Sequence, residues 1–214
     1  SLRRMRSTVG DLDLVAAAAD SRAVMQAFVN HPQVARVVSQ GETKASVEYH
    51  NNLRAQLWVH PPERFGTALA YATGSKDHNV RLRELAIKKG LSLSDQAFLK
   101  PDGSEILCAT EEEVYTTLGL PWIPPEMRED RGEIEAARKK RLPALVEIAD
   151  IRGDLHCHTT ATDGRDTLEA MARAAAARGY EYISANDHSK RVSIAHGLDR
   201  RRLLQQVRAI DKLN

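Results

Sequence analysis

The period of apolar residues along the 214-residue chain changes twice, and the changes divide it. Val9 to Val15 alternates around Asp11 and Asp13, the two-residue period of a strand with one buried face. Ser21 to Val29 carries apolar residues at helical spacing, with Asp20 or Ser21 to cap its start and His31-Pro32 to stop it. Val34 to Val38, Ala45 to Tyr49 and Leu53 to Val59 read as three strands. Turns at Gln40-Gly41 and His50-Asn51-Asn52 separate them, which predicts an antiparallel meander. Together these elements make a small α+β sheet domain.

Beyond Pro61 the period becomes helical. Phe65 to Ala72, Asn79 to Lys89 (ended by Gly90) and Glu111 to Leu118 (ended by Gly119) are the expected helices. Pro121-Trp122-Ile123-Pro124-Pro125 is a stiff extended piece. Glu126 to Arg141 is so charged that it predicts a solvated connector with a short helix. A new unit opens at Ile151, with a strand, a loop through Asp163-Gly164, a helix over Thr167 to Arg178 and a strand over Tyr180 to Ala185. That order begins a βαβ arrangement. A helical pattern still runs at Asn214 and the chain starts abruptly at Ser1, so an excerpt of something longer is expected.

Composition adds limits rather than direction. The chain is 42% hydrophobic and 28% charged, with a net charge of +2, as in an ordinary soluble protein. That charge neither demands nor excludes a nucleic-acid partner, although arginine and lysine cluster at Arg3-Arg4, Arg138 to Arg141 and Arg200 to Arg202. Cys108 and Cys157 are too few for a disulfide framework, and Cys157, between two histidines, is expected in the core. No apolar run reaches membrane-spanning length and no leader pattern opens the chain, so the cytosol is expected and a membrane is not.

The candidate chemistry lies in two places. Asp154-Leu-His156-Cys-His158 puts two imidazoles on one face of a strand, and Asp163 and His188 follow at the ends of the predicted strands. Imidazoles with carboxylates in reach are the donors of a borderline divalent metal, and His156, His158, Asp163 and His188 are the candidate ligands. Near the start, Gly10-Asp11-Leu12-Asp13 projects two carboxylates from one strand face, suited to magnesium. An acidic surface explains most such pairs. Here, however, Ser1 and Arg4 stand ten residues upstream, a hydroxyl and a guanidinium suited to a triphosphate.

Ser1-Leu-Arg-Arg4 followed by Gly10-Asp-Leu-Asp13 resembles the palm of a family X DNA polymerase, within the nucleotidyltransferase superfamily. The resemblance continues through Tyr71-Ala-Thr-Gly74-Ser-Lys-Asp-His-Asn79-Val-Arg-Leu-Arg83, similar to the family's nucleotide-selecting segment, and through Glu111 to Tyr115 and Leu118 to Glu129, similar to the end of its thumb. Asp154 to His158 and Asp187-His188-Ser189 resemble the start of a PHP (polymerase and histidinol phosphatase) domain. This order is that of bacterial and archaeal PolX proteins. The implied fold is an α+β nucleotidyltransferase palm over residues 1–62 and a mostly helical thumb over 63–128. A charged linker over 129–150 and the first βαβ unit of a distorted (β/α) PHP barrel over 151–214 would follow.

Carried over by residue, the resemblance implies Asp11 and Asp13 as catalytic ligands of magnesium or manganese, and Ser1 and Arg4 as triphosphate contacts. Tyr71 and Gly74 would line the sugar and nucleotide pocket, Asn79 would touch the incoming base edge and Arg83 the template side. His156, His158, Asp163 and His188 would hold manganese or zinc for a 3′-5′ exonuclease, whose remaining ligands are expected beyond Asn214. Gap-filling DNA synthesis with end trimming is the implied activity, with DNA and deoxynucleoside triphosphates (dNTPs) as partners, in a cytoplasmic, nucleoid-associated monomer.

This sequence departs from the family's pattern at several positions. Gln56, in Leu53 to Glu63, stands where the family has a third aspartate; a neutral amide is a poorer magnesium ligand and cannot accept the primer hydroxyl's proton. Ala72 replaces a bulky aromatic beside Tyr71, which loosens the expected discrimination against ribose. Asn186 replaces the usual threonine before Asp187-His188. Gln56 supports an alternative, in which the palm is a DNA-positioning platform for a PHP nuclease.

Overall fold

A computed structural model describes residues 1–214, and the chain forms two compact units, Ser1–Pro143 and Ala144–Asn214. The first opens with a four-stranded sheet: β1 (Asp11–Ala17), β2 (Val34–Gln40), β3 (Lys44–Tyr49) and β4 (Arg54–His60), in the order β1-β4-β3-β2. β2, β3 and β4 form the antiparallel meander, and β1 joins β4 in parallel. The first strand starts two residues later than the alternation predicts.

Helix α1 (Ser21–Val29) lies between β1 and β2 in sequence and starts where Asp20 accepts a hydrogen bond from the Arg22 amide at 3.0 Å. Its Met25 and Val29 pack with Ala45, Val47, Ala55, Leu57 and Val59, the inward residues of β3 and β4. Truncating a buried leucine such as Leu57 to alanine costs roughly 2–5 kcal/mol in cores of this kind. Because strand side chains alternate, burying Ala55, Leu57 and Val59 turns Gln56 and Trp58 to the opposite face.

The rest of this unit is mostly helical: α2 (Phe65–Thr73), α3 (Lys76–Lys88), α4 (Glu111–Thr117) and α5 (Glu133–Arg138). Three two-residue strands, β5 (Ser92–Leu93), β6 (Phe98–Leu99) and β7 (Glu105–Ile106), add a small antiparallel sheet. α3 begins three residues before the apolar period does, because the Ser75 hydroxyl caps it by accepting from the His78 amide at 3.2 Å. α4 opens with a capping box between Thr110 and Glu113. Gly66 allows α2 to lie on that cap, since a Cβ there would stand 2.1 Å from the Thr110 carbonyl oxygen. Leu82, Leu85, Phe98, Val114, Tyr115 and Ile123 form the centre of this second core.

The expected linker over 129–150 is corrected by this packing. Glu133, Ile134 and Ala137 are buried, α5 closes the core, and the chain remains in the first unit as far as Pro143. Ile134 and Ala137 are one helical step apart, and the charges around them conceal so short an apolar face.

The second unit contains β8 (Gly153–Cys157), α6 (Leu168–Ala177), β9 (Tyr182–Ala185) and α7 (Arg200–Leu213). β8 and β9 are parallel and joined through α6, with an irregularity in register between Asp154 and Cys157. Thr167 and Asp199 cap α6 and α7. No helix of the chain is long and apolar enough to cross a membrane.

Candidate nucleotide and metal sites

On the open face of the first sheet, Asp13 lies in register with Gln56 of β4, and Asp11 with Arg54. The Asp13 carboxyl is held above its ordinary value by partial burial and by the charge of Asp11, against the pull of the N-terminal ammonium and Lys44. A divalent cation would relieve the repulsion that Asp13 feels from Asp11, so this donor set fits magnesium or manganese. Lys44, in register with Trp58, sets its ammonium 4.8 Å from the centre of that indole. Asp13, Trp58, His60, Tyr71, Ala72 and Asp95 line a cleft of about 140 Å³.

Ser1 to Arg6 lie beside the end of α2. The Ser1 carbonyl accepts from the amides of Arg4 (3.2 Å) and Arg6 (3.3 Å), and Ser1 itself is exposed. Arg4 donates from Nε to the Thr73 carbonyl at 2.9 Å, pairs through Nη1 with Glu129, and lies beside Gly74, where an added Cβ would stand 3.8 Å from Nε. Gly74 has φ +69°, a conformation that side chains with a Cβ rarely adopt. Tyr71, Asn79 and Arg83 also meet: Asn79 donates to the Tyr71 carbonyl at 2.7 Å, and Arg83 to the Asn79 carbonyl at 3.4 Å. The first unit therefore gathers Arg4 with Gly74, Asp13 with Tyr71, and Tyr71 with Asn79 and Arg83.

Beneath these residues lies a buried charged network that sequence patterns did not reveal. Arg128 is wholly buried; it donates to Glu111 at 2.5 and 3.2 Å and to the Ile123 carbonyl at 2.8 Å. Arg3 reaches the same carboxylate at 3.2 and 2.9 Å, and the Trp122 indole does so at 3.3 Å. Burial alone would raise the Glu111 carboxyl, but the hydrogen bonds and charges of Arg128 and Arg3 bring it down to about 2. His78, Tyr115 and Glu133 form a second buried set against it.

In the second unit, His158 Nδ1 is 3.0 Å from Asp163 Oδ1, and His188 Nε2 is 3.3 Å from Asp163 Oδ2. Donor atoms of these three residues lie within 4.8 Å of one another. Ligands about 2.0–2.2 Å from one tetrahedral ion stand roughly 3–4 Å apart, so the set fits a zinc- or manganese-sized ion. His156 joins the edge of the group, with Nε2 3.1 Å from Nε2 of His158 and the rings stacked at 5.2 Å.

The neighbouring carboxylates turn elsewhere. Asp154 accepts from the His156 amide at 2.9 Å, and Asp187 from Thr159, Thr162 and Gln206. Asp187 thus ties the loop before Asp163 to α7. Burial would raise its carboxyl, and those donors outweigh it, so its value lies below the ordinary one. Gly164 lets the loop close on β8's end, because a Cβ would stand 2.3 Å from the His158 carbonyl oxygen.

A sheet face with paired carboxylates beside a helical subdomain is the layout of a polymerase palm and thumb. The DNA polymerase beta thumb family matches residues 68–129. The chain is 38% identical to the DNA polymerase/3'-5' exonuclease PolX of Bacillus subtilis (strain 168) over 219 aligned residues, covering all of this chain and 38% of that protein. It is 30% identical to DNA polymerase lambda of Rattus norvegicus over 158 residues, 60% of this chain and 28% of that one. With the DNA-directed DNA/RNA polymerase mu of Homo sapiens it shares 37% identity over 78 residues, 36% of this chain and 16% of the relative. The chain belongs to family X of the DNA polymerases. It spans well under half the length of each of these relatives.

Proposed function

We propose that the first unit carries out template-directed, gap-filling DNA synthesis and that the second contributes to metal-dependent 3′-5′ trimming as the start of a PHP phosphoesterase domain. The observation that carries the first part is Asp13 opening on the same cleft as Tyr71 and Ala72, with Asp11 beside it on β1. Magnesium or manganese held by Asp11 and Asp13 would supply positive charge to the triphosphate and the primer hydroxyl. Ser1 and Arg4 bind the phosphates, with Arg4 exchanging its Glu129 partner for a phosphate oxygen. In this reading Tyr71 and Gly74 bound the sugar pocket, Asn79 meets the base edge and Arg83 the template, and the hydrogen bonds that join Asn79 to Tyr71 and Arg83 to Asn79 support grouping them. The small Ala72 leaves room in the cleft beside the sugar.

Trimming is supported by the convergence of His158, Asp163 and His188 with His156 at their edge, and by the B. subtilis relative, which is named as a 3'-5' exonuclease. The same four residues would hold manganese or zinc, whose role is to generate hydroxide near neutral pH.

A second reading is favoured by one position. Gln56 faces Asp13 across the β1–β4 pair, where a carboxylate would complete the donor set and accept a proton. In that reading the sheet positions DNA for the nuclease and synthesises slowly or not at all.

One gapped substrate, assayed with magnesium or manganese for both dNTP incorporation and 3′ trimming, separates the readings. Synthesis predicts incorporation that Asp13→Ala abolishes and Gln56→Asp raises by about tenfold or more, toward the range a general base supplies. Incorporation that survives Asp13→Ala would sink the synthesis reading; incorporation present only in Gln56→Asp would favour the platform.

A further inference from the structure

We propose that His78, bonded to Glu133 and Tyr115, is a positioning residue that fixes the face of α3 carrying Asn79 and Arg83, and so sets the affinity for the incoming nucleotide. The inference rests on the nucleotide-binding reading above. His78 is fully buried in the first turn of α3. A buried imidazole is tolerated only when its nitrogens are paired, and both are: Nδ1 lies 2.6 Å from Glu133 Oε1 and Nε2 2.9 Å from the Tyr115 hydroxyl.

The partners determine which nitrogen carries the proton. Burial drives the Tyr115 phenol's ionisation far up, so its hydroxyl is a donor and Nε2 accepts. Glu133 is a carboxylate, so Nδ1–H donates to it. Burial also holds His78 below its ordinary value, against the hydrogen bond and charge of Glu133, which agrees with a neutral ring. One orientation and one tautomer satisfy every group.

Each partner is anchored in turn. Glu133 accepts from the amides of Asp130 at 2.9 Å and Arg131 at 2.7 Å, which ties it to the loop before α5. The Tyr115 ring lies under the Arg128 guanidinium at 5.0 Å, and Arg128 is bound to Glu111. The start of α3 is therefore fastened to α4, to α5 and to the loop containing Arg128. Asn79 follows His78 directly, and Arg83 lies about one turn further on the same helix. A shift of α3 of about 1 Å would misplace both, and hydrogen bonds to a bound nucleotide weaken steeply over a few tenths of an ångström, so the loss falls on binding.

The test compares His78→Phe, which keeps the volume and removes both bonds, with His78→Gln, which can restore a donor and an acceptor. Steady-state incorporation on gapped DNA gives kcat and KM for dNTP, and titration gives the Kd for DNA and for Mn²⁺·dNTP. We expect His78→Phe to raise the dNTP KM by about tenfold, with kcat changed less than threefold and DNA affinity unchanged, and His78→Gln to recover most of the loss. If His78→Phe does not fold, Tyr115→Phe removes one bond and keeps the ring, and should raise KM by about threefold. A dNTP KM within twofold of wild type in a folded His78→Phe or Tyr115→Phe overturns the clamp alone. Wild type that neither incorporates nor binds dNTP overturns the nucleotide reading, and the clamp with it.

Discussion

Replacing Arg128 by methionine should destabilise the first unit by about 3–5 kcal/mol, the cost of breaking a buried ion pair on one side. The structure explains why the figure should fall in that range. Arg128 is wholly buried and makes three hydrogen bonds, two of them to Glu111. Its guanidinium also lies over the rings of Tyr115 at 5.0 Å and Trp122 at 5.7 Å. Methionine fills much of the space but leaves Glu111 buried with only Arg3 and Trp122 as donors, and the Ile123 carbonyl without its partner. Urea unfolding of the whole chain measures the loss. With m of about 2 kcal/mol/M, the midpoint should fall by roughly 2 M. The double variant Arg128→Met/Glu111→Leu should recover part of that loss, because no buried charge is left unpaired. A loss below about 1 kcal/mol in the single variant would refute the argument, since the pair would then behave as a solvated one.

The same network predicts a pH dependence. The Glu111 carboxyl falls from 4.5 to about 2 on folding, so its contribution is present above pH 4.5 and is lost as pH drops from there toward 2. The full loss is roughly 3 kcal/mol, of which about 2 kcal/mol has gone by pH 3, and urea titrations at pH 7 and pH 3 should show that difference diminished in Glu111→Gln. Glu129→Gln should free Arg4 from its ion pair and lower the dNTP KM by about threefold in steady-state incorporation, whereas a rise would mean that Glu129 orients Arg4 productively. His188→Ala should weaken Mn²⁺ or Zn²⁺ binding to the second unit at least tenfold by titration calorimetry, and unchanged affinity would remove His188 from that site.

The parts of this molecule that were legible in its sequence are those governed by local rules. Alternation places Asp11 and Asp13 on β1, and the glycines at 90 and 119 stop α3 and α4. The small sheet of β5, β6 and β7 was invisible because two-residue strands have no period to read. The start of α3 is hidden in the sequence because its cap, Ser75, precedes a turn of polar residues. Arg128, Glu111, His78 and Glu133 were illegible for a different reason. Their partners lie 17 and 55 residues away, so only the packed core brings them together, and in sequence each resembles a solvated charge. The register of β1 with β4 needed the fold as well, although the family's pattern over Leu53 to Glu63 singles out Gln56.

The proposed synthesis requires the open sheet face to hold a metal and a triphosphate through Asp11 and Asp13. Titration of Mn²⁺·dNTP into wild type, Asp11→Ala, Asp13→Ala and His158→Ala tests it without requiring turnover. Either aspartate variant should weaken binding at least tenfold, while His158→Ala, in the other unit, should leave it unchanged. Equal affinity in wild type and Asp13→Ala would contradict it.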